Sequence, residues 1–178
     1  MSMEAVLPGL DDPSKRIAFA PTRAAGLARL DAFVRRAGRH YANLRNYDLG
    51  SERRDNVSCL SPWIRHRLIT EEDVLRATLA RHAPSSAEKF IQEVFWRTYF
   101  KGWLEQRPSV WQGYRDGLDR ALTALDRDGA LAADYASAVE GRTGVDGFDQ
   151  WAQELVETGY LHNHARMWFA STWIFTLR

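Results

Sequence analysis

Apolar residues in this chain recur every three or four positions, with no alternating stretch of useful length and no internal repeat. That pattern restricts the fold to helices. The densest example is Phe90-Ile-Gln-Glu-Val-Phe-Trp-Arg-Thr-Tyr-Phe-Lys-Gly-Trp103, which has no Pro and a single Gly near its end. Phe90, Ile91, Val94, Phe95, Thr98 and Tyr99 follow the rhythm of a buried stripe. Glu93, Trp96, Arg97 and Phe100 share a second face of the same helix. The expectation is an all-α fold in one domain.

Two readings of the second face stay open at this point. One is a buried helix with a Glu93–Arg97 ion pair at its rim. The other is a face that grips a planar, hydrogen-bonding ligand such as a nucleobase or a flavin. Composition narrows the choice only a little. At 178 residues the chain can bury roughly 70% of its unfolded surface, so no disulfide or metal staple is required. A single cysteine, Cys59, cannot pair internally and fits a reducing compartment. The N-terminal residues Glu4, Pro8, Asp11 and Asp12 do not read as a signal peptide, and the apolar-rich run 167–177 is too short to span a bilayer. A cytoplasmic protein without membrane contact is expected. The net charge of +1 provides no global basic field. Of the 24 basic residues, however, only Lys15, Lys89 and Lys101 are lysines. Arginine favours bidentate contact with phosphate and stacking on rings, and there are seven tryptophans.

Along the chain, residues 1–20 read as an arm with turn signals at Pro8-Gly9 and Asp12-Pro13. Thr22 is placed to cap a helix over about 23–40. Residues 41–58 are rich in turn formers, and Ser61-Pro62 reads as the cap and first residue of a short helix. Thr70-Glu-Glu-Asp73 reads as the start of a helix to about 82, its acids placed to meet the positive end of the macrodipole. Pro84-Ser85-Ser86 reads as a break before a helix over about 87–104. Arg107-Pro108 reads as the end of that helix; residues 109–117, with Trp111 and Tyr114 around Gly113, precede helices over about 118–126, 130–139, 148–158 and 161–177, with Gly159 closing the third of these.

Two further stretches hold chemistry. Val57-Ser-Cys-Leu-Ser-Pro62 feeds a helix start, where backbone N–H groups can hold phosphate, and Arg45, Arg53 and Arg54 lie upstream. Ordinary capping by Ser61 is the alternative. In His162-Asn-His-Ala-Arg-Met167 the two histidines point to different faces, so no metal site is expected. Trp168, Phe169 and Trp173 leave this last helix apolar almost all round, which implies burial. A buried Arg166 would then need a carboxylate or a ligand. Cys59 has no His or Asp relay, and no catalytic residue is assigned.

Taken in order, five stretches resemble the FAD-binding helical domain of the DNA photolyase/cryptochrome family. They are Tyr41-Ala-Asn-Leu-Arg45, Val57-Ser-Cys-Leu-Ser-Pro-Trp63, Glu93-Val-Phe-Trp-Arg97, Gly141-Arg-Thr-Gly144 followed by Asp149, and His162-Asn-His-Ala-Arg-Met167. The resemblance covers roughly 20–177 and looks closest to a bacterial cryptochrome-like branch. It implies that Tyr41, Val57, Ser58, Leu60, Ser61, Phe90 and Arg166 contact FAD, the four loop residues at its pyrophosphate. It implies that Arg45, Glu93, Trp96, Arg97, Asn163, His164 and Met167 face DNA or a flipped-out pyrimidine dimer. Val57 replaces the family's usual Thr, Cys59 its usual Arg or Lys, and His164 a common DNA-contacting Arg.

Against the family pattern the chain should lack the α/β antenna domain, so no antenna pigment is expected. It should also be truncated after the Arg166-bearing helix, which leaves the FAD site incomplete. Residues 1–20 would be an arm and 21–178 a partial FAD-binding domain. Self-association or a complementing C-terminal segment would then be its partner. The function implied for the full-length protein is light-driven electron transfer from reduced FAD to a pyrimidine dimer in DNA, a lyase reaction, with this chain alone inactive. Two alternatives are a cryptochrome-like light sensor without repair and a flavin-free remnant.

Overall fold

The computed structural model describes residues 19–51 and 53–177. The expected arm therefore lies outside the described residues except for Phe19 and Ala20. Every regular element among the described residues is a helix, as the periodicity predicts. The chain divides into two compact units, one formed by Phe19–Gly117 and the other including Leu118–Arg178.

The first unit contains α1 (Arg23–Val34), α2 (Arg39–Leu44), α3 (Ser61–Arg65), α4 (Glu71–Leu79), α5 (Pro84–Glu105) and the beginning of α6 (Pro108–Arg127). Its core joins Leu30, Phe33 and Val34 of α1 to Tyr41, Leu60, Trp63, Ile64, Ile69, Val74, Phe90 and Val94. Thr22 caps α1 by accepting from the Ala25 N–H at 3.2 Å. The capping box of α4 is formed: Asp73 N–H donates to Thr70 Oγ1 at 3.1 Å, and Thr70 N–H donates to Asp73 Oδ2 at 2.9 Å. The Asp73 carboxylate also takes a fork from Arg23, at 3.0 and 3.1 Å. That guanidinium, together with the Thr70 N–H, holds its pKa down to about 2.

Several boundaries differ from expectation. The helix expected over 23–40 breaks after Val34, and Gly38 is the N-cap of α2. A side chain from elsewhere packs against the break. His82 Nε2 lies 2.7 Å from the Val34 carbonyl oxygen, which also accepts from the Ala37 N–H at 3.1 Å at the end of α1. Its ring occupies the place of a side chain at 38, since a Cβ there would sit 2.9 Å from His82 Nδ1. α4 and α5 end before Pro84 and Pro108, as expected, but each proline also opens the next helix, α5 and α6, at the first position, where a missing N–H costs nothing. The cap of α3 is Leu60 rather than Ser61, with no side-chain cap bond. The apolar stripe of α5 is buried only in its first half. Phe90 and Val94 are enclosed, whereas Phe95 and Tyr99 are exposed.

The second unit holds the rest of α6 with α7 (Gly129–Val139), α8 (Asp146–Thr158) and α9 (Asn163–Phe175). Asp128 caps α7 by accepting from Ala130 and Leu131 N–H at 3.0 and 3.1 Å. Gly159 ends α8 in the left-handed region, at φ 65°, as expected of a C-terminal glycine. The core is small: Ala138, Phe148 and Ala152, with Phe169, Trp173 and Leu177 against them. Phe148 stacks on Phe169 with ring centroids 4.7 Å apart. The expectation that α9 is buried all round does not hold within this chain. Met167, Trp168, Ile174 and Phe175 are exposed, and of α9 only Ala165 is fully enclosed.

Candidate functional site

In the first unit the packing of α2 on α5 brings Tyr41, Arg45, Phe90 and Glu93 together. The Tyr41 ring meets Phe90 edge to face at 5.1 Å, and both meet Phe33. These rings form the floor of the seam, with Phe90 only 4% exposed. Arg45, the C-cap of α2, donates to Glu93 across the seam and also engages the Tyr41 hydroxyl. Burial raises the Tyr41 pKa and the Glu93 charge adds to this, while Arg45 pulls the other way. Burial lowers the Arg45 pKa, but its bonds to Glu93 and Tyr41 outweigh that and leave it raised.

The expected Glu93–Arg97 pair is not formed. Glu93 is held from α2, and Arg97 Nε lies 3.6 Å from Glu71 of α4. Glu71 also receives Arg67 at 2.7 Å. Trp96 stands one turn beyond Glu93, 54% exposed, edge-on to Tyr99 at 5.6 Å and tilted against Phe100 at 6.4 Å. A carboxylate and an exposed indole on adjacent turns can bond an edge of a planar base and cover its face.

The 57–61 loop is tethered by a residue that sequence reasoning did not single out. Arg29, on the polar flank of α1, donates through Nε to the Ser58 carbonyl at 2.8 Å. Its Nη2 reaches the Val57 and Arg54 carbonyls at 3.1 and 3.2 Å. Asn56 adds a second tie, donating to the carbonyls of Leu44 at 2.9 Å and Tyr47 at 2.8 Å. Nothing in the local spacing of α1 distinguishes Arg29 from its neighbouring arginines; only the tertiary fold does. Cys59 is buried with φ 53°, and Leu60 follows in the right-handed region. A left-handed residue followed by a right-handed one turns successive N–H groups to the same side, the geometry of an anion nest. Within the loop the Leu60 N–H donates to Ser58 Oγ at 3.4 Å.

In the second unit, His162 Nδ1 caps α9 by accepting from the His164 N–H at 3.3 Å. Asn163, His164, Arg166 and Met167 lie in the first turns of the helix. Arg166 is exposed rather than buried. It donates through Nε and Nη2 to the Leu161 carbonyl at 3.2 and 3.1 Å and lies over the Tyr160 ring. His164 Nδ1 is buried without a hydrogen-bond partner. Asp149 accepts from the Thr143 N–H at 2.9 Å, the Thr143 hydroxyl at 2.7 Å and the Gly144 N–H at 2.8 Å. Burial pushes its pKa up, but these three donors outweigh it and hold the carboxylate below its usual range. Among the described residues no group of His, Cys, Asp and Glu is arranged to hold a metal ion, and no helix is long and apolar enough to cross a membrane.

The described helices thus carry a loop tethered by Arg29 and a seam of aromatic and charged side chains. A family model described as the FAD binding domain of DNA photolyase matches residues 90–178, half of the chain. With that match, the chain belongs to the DNA photolyase family through its FAD-binding domain. The chain is 32% identical over 169 residues to a deoxyribodipyrimidine photo-lyase of Thermus thermophilus, covering 90% of this chain and 34% of that one. It is 28% identical over 158 residues to a deoxyribodipyrimidine photo-lyase of Synechococcus sp., covering 85% and 31% respectively. The chain thus spans about a third of the length of these curated relatives. No solved structure matches it.

Proposed function

We propose that residues 21–178 form the front part of a flavin domain that binds FAD and, in a full-length protein, repairs pyrimidine dimers in DNA. The carrying observation is the α2–α5 seam, where Tyr41 and Phe90 pack together beneath the Arg45–Glu93 pair, with Trp96 one turn on. Val57, Ser58, Leu60 and Ser61 would hold the pyrophosphate of FAD, and Tyr41 and Phe90 would contact the cofactor from the same unit. Arg166 is assigned to the cofactor by its place in the His162–Met167 motif. Glu93 would bond the base edge, Trp96 would cover its face, and Arg45 would take a phosphate. Arg97, Asn163, His164 and Met167 are assigned to substrate or DNA by motif alone. Reduced FAD, when bound, supplies the light-excited electron donor. The chain's own groups bind, orient and exclude water.

A light sensor without repair is the second reading. It is favoured by His164, whose buried Nδ1 makes no hydrogen bond, standing where a DNA-contacting Arg is common. The first test is the visible spectrum of the purified protein after incubation with FAD and removal of excess. Retained flavin absorption supports both readings, and a colourless protein counts against both. The second is binding to damaged and undamaged single strands against salt. Preference for the damaged strand, weakening as salt rises, supports repair. Equal binding with no light-dependent loss of dimers leaves the sensor reading.

A further inference from the structure

We propose that Arg29 is the positioning residue of the FAD phosphate site, acting through the backbone of the 57–59 segment rather than by touching the ligand. The inference rests on the flavin reading above and assigns a role to a residue outside every motif that suggested it. Arg29 gathers three carbonyls on one guanidinium: Arg54, Val57 and Ser58. A trans peptide unit holds its C=O and N–H antiparallel, and no peptide bond among the described residues is cis. The Val57 carbonyl shares its plane with the Ser58 N–H, and the Ser58 carbonyl shares its plane with the Cys59 N–H. Pulling both carbonyls toward Arg29 therefore aims both N–H groups away from it. Beyond the left-handed turn at Cys59, the Leu60 N–H donates to Ser58 Oγ at 3.4 Å, so the pair at Ser58 and Cys59 carries the proposal.

The result is a sign relay. A cation on one side of the loop turns negative ends toward itself, and the positive ends point to the opposite side, where a diphosphate would be held. This arrangement also answers the departure at Cys59. Where a basic residue would supply charge directly, the peptide dipoles supply it here, oriented by a cation behind them. Lysine could not substitute, because one ammonium lacks the planar fork that reaches three carbonyls.

The test titrates the chain with FAD and, separately, with riboflavin, which has the ring system but no phosphate. The variants are Arg29→Gln and Arg29→Lys. Both should weaken FAD about tenfold, the order seen when bonds supporting a ligand contact are removed, and leave riboflavin unchanged. Inorganic pyrophosphate should shift the Ser58 and Cys59 amide resonances of the wild type and not those of Arg29→Gln. FAD affinity unchanged in Arg29→Gln overturns the proposal and leaves the flavin reading intact. Equal loss of FAD and riboflavin, with a lowered Tm, also overturns it and makes Arg29 structural only. A wild-type chain that takes up neither FAD nor pyrophosphate overturns both the proposal and the flavin reading.

Discussion

The two units differ in what they have enclosed. In Phe19–Gly117, side chains from five helices and the loop close around Phe33, Leu60, Ile69 and Val74. In the second unit the core cluster holds only Ala138, Phe148 and Ala152, with Leu161 and Ala165 also buried, while Met167, Trp168 and Phe175 face outward. α6 sharpens the contrast: none of its residues is buried, although Trp111, Tyr114, Leu118 and Leu122 recur at helical spacing. A helix of that pattern gains little from its apolar face until something covers it. Chemistry follows packing. Arg45 and Glu93 are held by each other over a closed floor, whereas Met167 projects from a helix with 63% of its surface exposed. A preorganised group can act as it stands; an exposed one acquires its geometry from whatever covers it.

The contrast can be broken most directly at the two cores. Phe33→Ala should cost about 3–5 kcal/mol in urea denaturation, the usual range for a large enclosed ring. Phe148→Ala should cost about half as much, because its ring, although equally enclosed, sits in a smaller cluster that collapses more readily. Equal costs would mean the second unit is as well closed as the first. Next, Gly38→Ala should destabilise by about 1–3 kcal/mol through the clash with His82. Adding His82→Ala should recover part of that, so the two changes should be non-additive.

Trp96→Ala should leave stability almost unchanged, since the ring is exposed, and weaken binding of a dimer-containing strand by about 1–3 kcal/mol. Unchanged binding would remove Trp96 from the site. The smallest effect concerns Asp73. Asp73→Asn should cost about 1 kcal/mol at neutral pH through the cap it helps form. The folded pKa of this carboxylate is depressed, so its contribution is present above the ordinary aspartate range, near pH 4. It is lost as pH falls toward about 2. Wild type and variant should therefore converge over that interval in an acid titration of stability.

What could be read beforehand was what neighbours in sequence decide. Thr22, the Thr70–Asp73 box and Gly159 act within a few residues, and all three caps form. What could not be read was set by residues far along the chain. Glu93 and Arg97 have good helical spacing, yet Arg45 and Glu71 approach from α2 and α4 and take them apart. Pro84 and Pro108 were legible as stops but not as starts, since a proline carries the same local signal whether it ends one helix or opens the next. The exposed faces of α9 reflect the same limit. An apolar periphery says that burial is needed, not which chain provides it.

The imidazole lodged against Gly38 couples two positions that otherwise have no reason to know of each other. The heading of α2, and so the direction in which Tyr41 and Arg45 are aimed, is settled by a residue 48 positions after Val34. Such an arrangement binds the two sites into a single heritable unit. A lineage that places a side chain at 38 must shrink the ring at 82, or accept a different angle for the arm that carries Tyr41. Drift at the turn before α5 would then surface as altered ligand contact on α2, with no contact residue having changed.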